Sequence, residues 1–259
     1  MNKKLSAYSK FKGLNIAITG AQGSLGQSLI EDFKGKGAYV IGLTHNKKNT
    51  IYPEKATPNE WIIWSCGEEK KLSSKLANID ILILNHGFNP KGNIDSNKIN
   101  KAIEINSLSH WRLIQLFENI VQTNINHQDK EYRPKEIWVN TSEAEIQIAF
   151  SPVYEITKRL IGEIVSLKKS QLLIEKNNSL IIKKLVLGPF KSELNPQGIM
   201  NSNFVAKQII KRAEKKNYLI IVSPNPLTYL LMPLAEITRI LYTRFIKNIY
   251  SQKIPKESN

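Results

Sequence analysis

Asn15-Ile16-Ala17-Ile18-Thr19-Gly20-Ala21-Gln22-Gly23-Ser24-Leu25-Gly26 is the stretch whose reading decides the fold. Residues 15–19 form a short apolar run with the length of a buried strand, the glycines follow at once, and Gln27-Ser28-Leu29-Ile30 continues with helical spacing. A strand entering a helix through a turn with missing side chains lets a phosphate pair approach the backbone. The first-turn amides then face it with the positive end of the helix dipole. Spaced glycines alone also describe an ordinary strand-to-helix turn; the strand before and the helix after make this one a candidate dinucleotide cradle, with Thr19, Gly20, Gln22, Gly23, Ser24, Leu25 and Gly26 as its lining.

Outward from that turn, short Ile/Val/Leu runs alternate with longer stretches of helical spacing. The strands expected are 15–19, 39–43, 60–64, 81–84, 137–140, 180–187 and 218–222, and helices are expected to begin near Leu25, Asn100, Tyr154 and Asn203. The pattern is that of an α/β protein with a single Rossmann-type doubly wound parallel sheet, roughly seven strands with helices on both faces. Residues 1–225 are assigned to this domain and 226–259 to a carboxyl-terminal amphipathic extension; no Pro/Gly/Ser-rich linker divides the chain further. Residues 123–134 read as a polar surface loop, and 1–11 and 252–259 as frayed charged tails.

The 259 residues, 41% hydrophobic, suffice for a large core. The single cysteine, Cys66, allows no intrachain disulfide, no Cys/His spacing offers a metal site, and the start of the chain lacks the apolar segment of a signal peptide. A reducing, cytoplasmic compartment is expected. The net charge of +15 invites a polyanion, but the lysines are scattered through an Ile/Asn-rich background without any nucleic-acid motif, so no nucleic-acid partner is expected.

Where an NAD site would carry a carboxylate, about 20 residues beyond the glycines, the second strand ends in Leu43-Thr44-His45-Asn46-Lys47-Lys48. Hydroxyl, amide and ammonium groups suit a 2′-phosphate, so NADP(H) is preferred over NAD(H), with Thr44, His45, Asn46 and Lys47 as its contacts; the alternative is a solvated Lys-rich loop. Further along, Tyr154 and Lys158 stand one helical turn apart and can point into one site. A nearby ammonium favours the phenolate and is expected to lower the Tyr154 pKa, making it a usable acid-base group.

With these residues in view, the chain resembles the short-chain dehydrogenase/reductase family over roughly residues 12–222. Thr19 to Gly26 looks like the cofactor turn of that family, Leu84-Asn85-His86-Gly87 like its Asn-Asn-Ala-Gly strand end, Ile105-Asn106 like its active-site asparagine, Val139-Asn140-Thr141-Ser142 like its catalytic-serine strand, Tyr154 to Lys158 like its Tyr-x-x-x-Lys pair, and Leu187-Gly188-Pro189-Phe190-Lys191-Ser192 like the segment that covers the nicotinamide. Tyr8 and Lys12 have the same spacing, but they precede the cofactor turn and cannot take that role. The resemblance implies that Tyr154 passes a proton to a carbonyl oxygen, Lys158 holds the nicotinamide ribose, Ser142 donates to the substrate oxygen and Asn106 holds a water. It also implies cofactor contacts at Asn85, His86, Gly87, Gly188, Pro189 and Ser192, and a homodimer or homotetramer. His86, where alanine is usual, reads as space-filling beside the cofactor, and His110 and Trp111 as packing.

The glycine spacing, with Gly23 three residues after Gly20, looks like the extended branch of epimerases and dehydratases, whereas the length and Asn85-His86-Gly87 look like the compact reductase branch. Expected is therefore an NADP(H)-dependent oxidoreductase moving a hydride between nicotinamide and a small-molecule carbonyl or alcohol, with a lipid-like compound among the substrates considered. The alternatives are an epimerase or dehydratase of a nucleotide sugar, or a non-catalytic NADP-binding regulator. Residues 226–250 carry apolar side chains at helical spacing with Arg239, Arg244 and Lys247 interspersed, which reads as a cleft cover or dimer seam or as a peripheral membrane contact. Pro233 is expected to break the segment into two short helices or a hinge.

Overall fold

The computed structural model describes residues 9–45, 56–92, 94–124, 133–215 and 217–253. Its strands are β1 (Asn15–Thr19), β2 (Tyr39–Thr44), β3 (Glu60–Ile63), β4 (Ile81–Leu84), β5 (Lys135–Ser142), β6 (Leu180–Leu187) and β7 (Leu219–Val222). They form one seven-stranded sheet in the order β3-β2-β1-β4-β5-β6-β7, every pair parallel. The order reverses between β1 and β4, which leaves a crevice beyond the carboxyl ends of these strands. All four β4 residues are buried apolar side chains, the composition of a strand covered on both faces.

The helices are α1 (Ser24–Gly35), α2 (Ser73–Leu76), α3 (Ser96–Ile103), α4 (Ser109–Thr123), α5 (Pro152–Ile174), α6 (Ser202–Glu214) and α7 (Pro226–Lys253). Strand residues alternate between two cores. Ile16, Ile18, Ile83, Trp138 and Leu185 pack with Leu29 and Phe33 of α1 and Ile209 of α6. Ala17, Leu82, Ile137 and Val139 pack with Phe117 of α4 and Val165 of α5. The longest strand pairing, β5 with β6, runs from Lys135↔Leu180 to Ser142↔Leu187 and carries Ser142 to the sheet's edge of chemistry.

Two expectations fail. Phe11, assigned to a frayed tail, is buried in the core and meets Phe33 and Trp138 at ring-centroid distances of 5.1 and 6.0 Å. Burying such a ring contributes about 1.5–3 kcal/mol, enough to order a short tail segment. Pro233 does not break α7, which runs as one helix through it. Met232 and Glu236 are buried on either side of the proline and anchor both flanking turns. Met232 packs with Val186 and Ile221, and Glu236 pairs with Lys169 of α5 (2.6 Å) and Lys184 of β6 (3.1 Å). These contacts offset the cost of the missing backbone donor, about 3 kcal/mol. Among the described residues, no helix is long and apolar enough to cross a membrane, and no group of His, Cys, Asp or Glu is placed to hold a metal ion.

Candidate active site

The glycine turn is built from the backbone. Gly20 has φ +61°, and a Cβ there would lie 2.8 Å from the His86 Cα; one on Gly26 would run into the Gly20 carbonyl oxygen and lie 2.8 Å from Ala21 Cα. These two glycines bring α1 and the β4 end against the turn. Gly23 differs, because a Cβ there would meet only the Gly20 oxygen at 3.4 Å. It is the exposed N-cap of α1, extended at φ −71° and ψ 162°, with no side-chain cap and no acidic residue in the first turn. The uncapped amides behind it have the chemistry that a diphosphate requires, so this cradle fits a dinucleotide. Leu25 is buried beneath the turn, Gln22 and Ser24 are half-buried, and Gln27 donates to the Ala21 carbonyl at 2.9 Å.

Hydrogen bonds tie this turn to the catalytic candidates across three strands. Lys158 Nζ donates to the Asn140 carbonyl (3.0 Å), Asn140 Nδ2 to Asn85 Oδ1 (2.9 Å), and Asn85 Nδ2 to the Gly20 carbonyl (3.3 Å). The Asn85 amide also donates to Thr19 Oγ1 at 2.8 Å. Thr141 is turned away, donating to the Leu185 carbonyl at 3.2 Å, while the Ser142 hydroxyl lies near enough to Tyr154 to favour its phenolate. That places Ser142, Tyr154 and Lys158 together.

The expected lowering of the Tyr154 pKa is overturned for this state. Burial pushes the phenol up to about 12, with the Ser142 hydrogen bond only partly opposing it. The Lys158 ammonium lies 5.7 Å from the Tyr154 ring centroid and is turned to Asn140, so its charge is not applied at the phenol oxygen. Burial pushes Lys158 down to about 8, with Glu145 partly offsetting it. At neutral pH the phenol is therefore protonated, the form that donates to a carbonyl oxygen.

Asn106 has structural partners that the sequence did not announce. It lies fully buried in a π-helical turn, Glu104–Leu108, between α3 and α4. Its Oδ1 accepts from the Phe88 amide (2.7 Å) and its Nδ2 donates to the Phe88 carbonyl (2.8 Å) and Thr157 Oγ1 (2.9 Å). Both amide hydrogens are committed, so the side chain holds the segment after β4 against α5.

His86 is more than a space-filler. Its Nε2 lies 3.2 Å from Ser109 Oγ, which donates to Glu69 at 2.7 Å, and its Nδ1 lies 2.8 Å from Thr19 Oγ1. The ring is thus held between two hydroxyls, Thr19 on the glycine-turn side and Ser109 on the Glu69 side. Burial and the Lys158 charge push His86 down to about 3, and burial holds His110 well below its usual range, so both rings are neutral. His110 donates from Nε2 to the His86 carbonyl at 3.0 Å. Burial raises the Glu69 carboxyl, but Arg112 (2.7 Å), the Gly67 amide and Ser109 outweigh it and hold it below its ordinary value. Glu69, Ser109 and Arg112 carry no local motif. Only the fold brings them behind the glycine turn.

A Cβ on Gly87 would lie 3.4 Å from Asn106 Oδ1, an ordinary contact, whereas one on Gly188 would lie 2.7 Å from Pro224 Cδ and 2.9 Å from Ser223 Cα, which excludes a side chain there. Beyond β6 the chain folds back on itself: the Pro189 carbonyl accepts from the Ile199 amide (2.9 Å), and Ser192 closes a turn with Asn195 (3.0 Å). Asn89 Nδ2 donates to the Leu194 carbonyl at 3.2 Å, so this loop roofs the crevice between β4 and β6. Ser192 is engaged with its own turn. At the β2 end Thr44 is buried and His45 exposed; Asn46 and Lys47 lie outside the described residues.

No family model matches the chain. It is 41% identical over 246 residues, 94% of its length, to a monoglucosyldiacylglycerol epimerase of Synechocystis sp., and spans 57% of that protein. In structure it is similar to a short-chain dehydrogenase of Burkholderia cenocepacia in complex with NADP (TM-score 0.69, 15% identity, 90% of this chain and 98% of that one). A short-chain dehydrogenase of Sphingobium yanoikuyae in complex with NADPH is similar as well (TM-score 0.64, 16% identity, 95% and 98%). The parallel sheet, its strand order and these likenesses together give the chain the fold of the short-chain dehydrogenases/reductases.

Proposed function

We propose that the chain is an NADP(H)-dependent oxidoreductase acting on a carbonyl or alcohol carbon of a lipid-like substrate. The observation that carries this reading is the bonded path from Lys158 through Asn140 and Asn85 to Gly20, which holds the Tyr154 acid beside the dinucleotide cradle. When bound, the cofactor supplies or takes up the hydride. Tyr154 gives its phenolic proton to the substrate oxygen or takes it back, and Ser142 orients that oxygen. Lys158, buried and drawn toward the cradle, stabilises the negative charge that gathers there. Preference for NADP(H) rests on the absence of a carboxylate at Thr44-His45, where the ribose 2′-position would be read.

A second reading is favoured by the 41% identity to a glycolipid epimerase. In it, oxidation and reduction occur in succession at one sugar carbon, the configuration inverts, and the cofactor is not consumed. Its substrate would be a sugar borne on a lipid, in place of the nucleotide sugar considered from sequence, and would be met at a bilayer surface.

Purified chain incubated with monoglucosyldiacylglycerol and NADP(H) separates these readings. Epimerisation yields the inverted sugar with no net change in nicotinamide absorbance; a reductase changes absorbance in proportion to product. In either case Tyr154→Phe should lower turnover by about 10²–10⁴-fold while leaving dinucleotide affinity unchanged. Full turnover in that variant would remove Tyr154 from the mechanism.

A further inference from the structure

The last helix is built inside out. The face of α7 turned to the protein buries Thr228, Met232 and Glu236, two of them polar. The face turned to solvent carries Leu227, Leu230, Leu234, Ile237, Leu241 and Phe245, each more than half exposed and spaced at three or four residues along one side. A helix that had only to cover its own domain would present the opposite pattern. Two further apolar side chains are exposed close to the start of the helix. Gln147 donates to Thr228 Oγ1 and accepts from Asn225 Nδ2, each at 2.8 Å, so the loop after β5 is bonded to the start of α7. From that loop Ile148 and Phe150 stand almost wholly exposed. The loop then closes through the Ala149 amide donating to Glu155 (2.8 Å) and enters α5, where Tyr154 sits in the first turn.

We infer that the outer face of α7 and the Ile148/Phe150 finger form one surface that docks on an anionic lipid bilayer, with the finger inserted beside the mouth of the catalytic crevice. This deepens, and rests on, the reading of a lipid-borne substrate. Charge selects the bilayer over a second copy of the chain. The only acidic residue of α7, Glu236, is buried, whereas Arg244 and Lys247 are exposed among the apolar residues, and the whole chain carries +15. Two such faces would bring like charges together, while an anionic headgroup layer complements them. Protruding side chains such as Phe150 also suit a soft acyl layer, because no recess among the described residues of α7 is required to receive them. The tyrosines Tyr229 and Tyr242, exposed on the same helix, have the amphipathic rings that settle at headgroup level.

The test is flotation of the full chain with phosphatidylcholine vesicles, with and without phosphatidylglycerol. The wild-type chain should float with the anionic vesicles and be released by salt. Ile148→Ser/Phe150→Ser should lower the bound fraction about tenfold or more, and Leu230→Ser/Leu234→Ser/Ile237→Ser likewise. NADPH affinity in both variants should stay at the wild-type value, which verifies that they are folded. No flotation of the wild-type chain, or flotation unaffected by either variant, overturns the proposal. So does a wild-type dimer in sedimentation that the α7 variant dissociates, since the occupant is then a second copy. Vesicle binding that persists in a chain without any oxidoreductase or epimerase activity leaves the docking surface standing and removes the catalytic reading instead.

Discussion

Two regions of the molecule are made of different materials. Around β1 and β4 the candidate site is backbone: Gly20, Gly26 and the Thr19 hydroxyl bring main chain against main chain, and the first amides of α1 carry no side-chain cap. Between β6, α5 and α7 the packing is made of long charged side chains folded inward. Lys184 alone contacts the Gly162 carbonyl (3.1 Å), Ser166 Oγ (2.8 Å), Glu145 (2.6 Å) and Glu236 (3.1 Å), and Gly162 is bare because a Cβ would strike the Glu145 carboxylate. A backbone site is held by sterics and changes little with pH. A buried charge cluster has a strength that depends on the protonation of every member.

The sharpest way to break the comparison is Lys184→Met. It leaves Glu145 and Glu236 facing one another with only Lys169 to compensate, and should cost about 3–5 kcal/mol in urea unfolding. A cost below about 1 kcal/mol would mean that the cluster is wet and not structural.

Acid should act most strongly on the charged side, through Glu236. Burial raises Glu236, but Lys169 and Lys184 outweigh it and hold the carboxyl down to about 2 against an ordinary 4.5. A carboxyl depressed in the folded state contributes stability above its unfolded value, and that contribution is lost as pH falls from about 4.5 toward about 2. The loss should approach about 3 kcal/mol. Glu236→Gln should lack that portion of the acid dependence, read from urea midpoints across the same window, whereas the variants at the glycine turn should retain it.

The smallest effects should appear on the backbone side, where two glycines can be told apart. Gly26→Ala drives a methyl into the Gly20 carbonyl and should cost about 1–3 kcal/mol of stability, together with dinucleotide affinity. Gly23→Ala meets ordinary contact only, so its stability should change by less than about 0.5 kcal/mol while NADPH titration weakens. Parallel losses in both variants would deny Gly23 its separate role as an open approach to α1.

This contrast also explains how much could be read in advance. All the strand positions were legible, because a parallel strand buried on both faces must be a short apolar run, and β6 has the very limits expected for it. Tyr154 and Lys158 were legible because helical spacing brings positions four apart together. The Tyr154 pKa was misread and the partners of Asn106 were not foreseen, since each depends on residues distant in the chain: Phe88 and Thr157 occupy the asparagine amide, and Asn140 turns the Lys158 ammonium away. His86 likewise acquires its role from Ser109 and Glu69, to which no spacing pointed.

By itself the sequence determined the α/β class, the strand-turn-helix of the dinucleotide cradle and the catalytic candidates, because these follow from local periodicity and from glycines whose missing side chains leave space. Only the tertiary structure decided that Phe11 joins the core, that α7 continues through Pro233, and that its apolar face points outward. The physical reason is common to all three. Which face of an amphipathic segment is buried depends on what waits for it, and a buried Lys184 waits for Glu236 where periodicity alone would have placed a leucine.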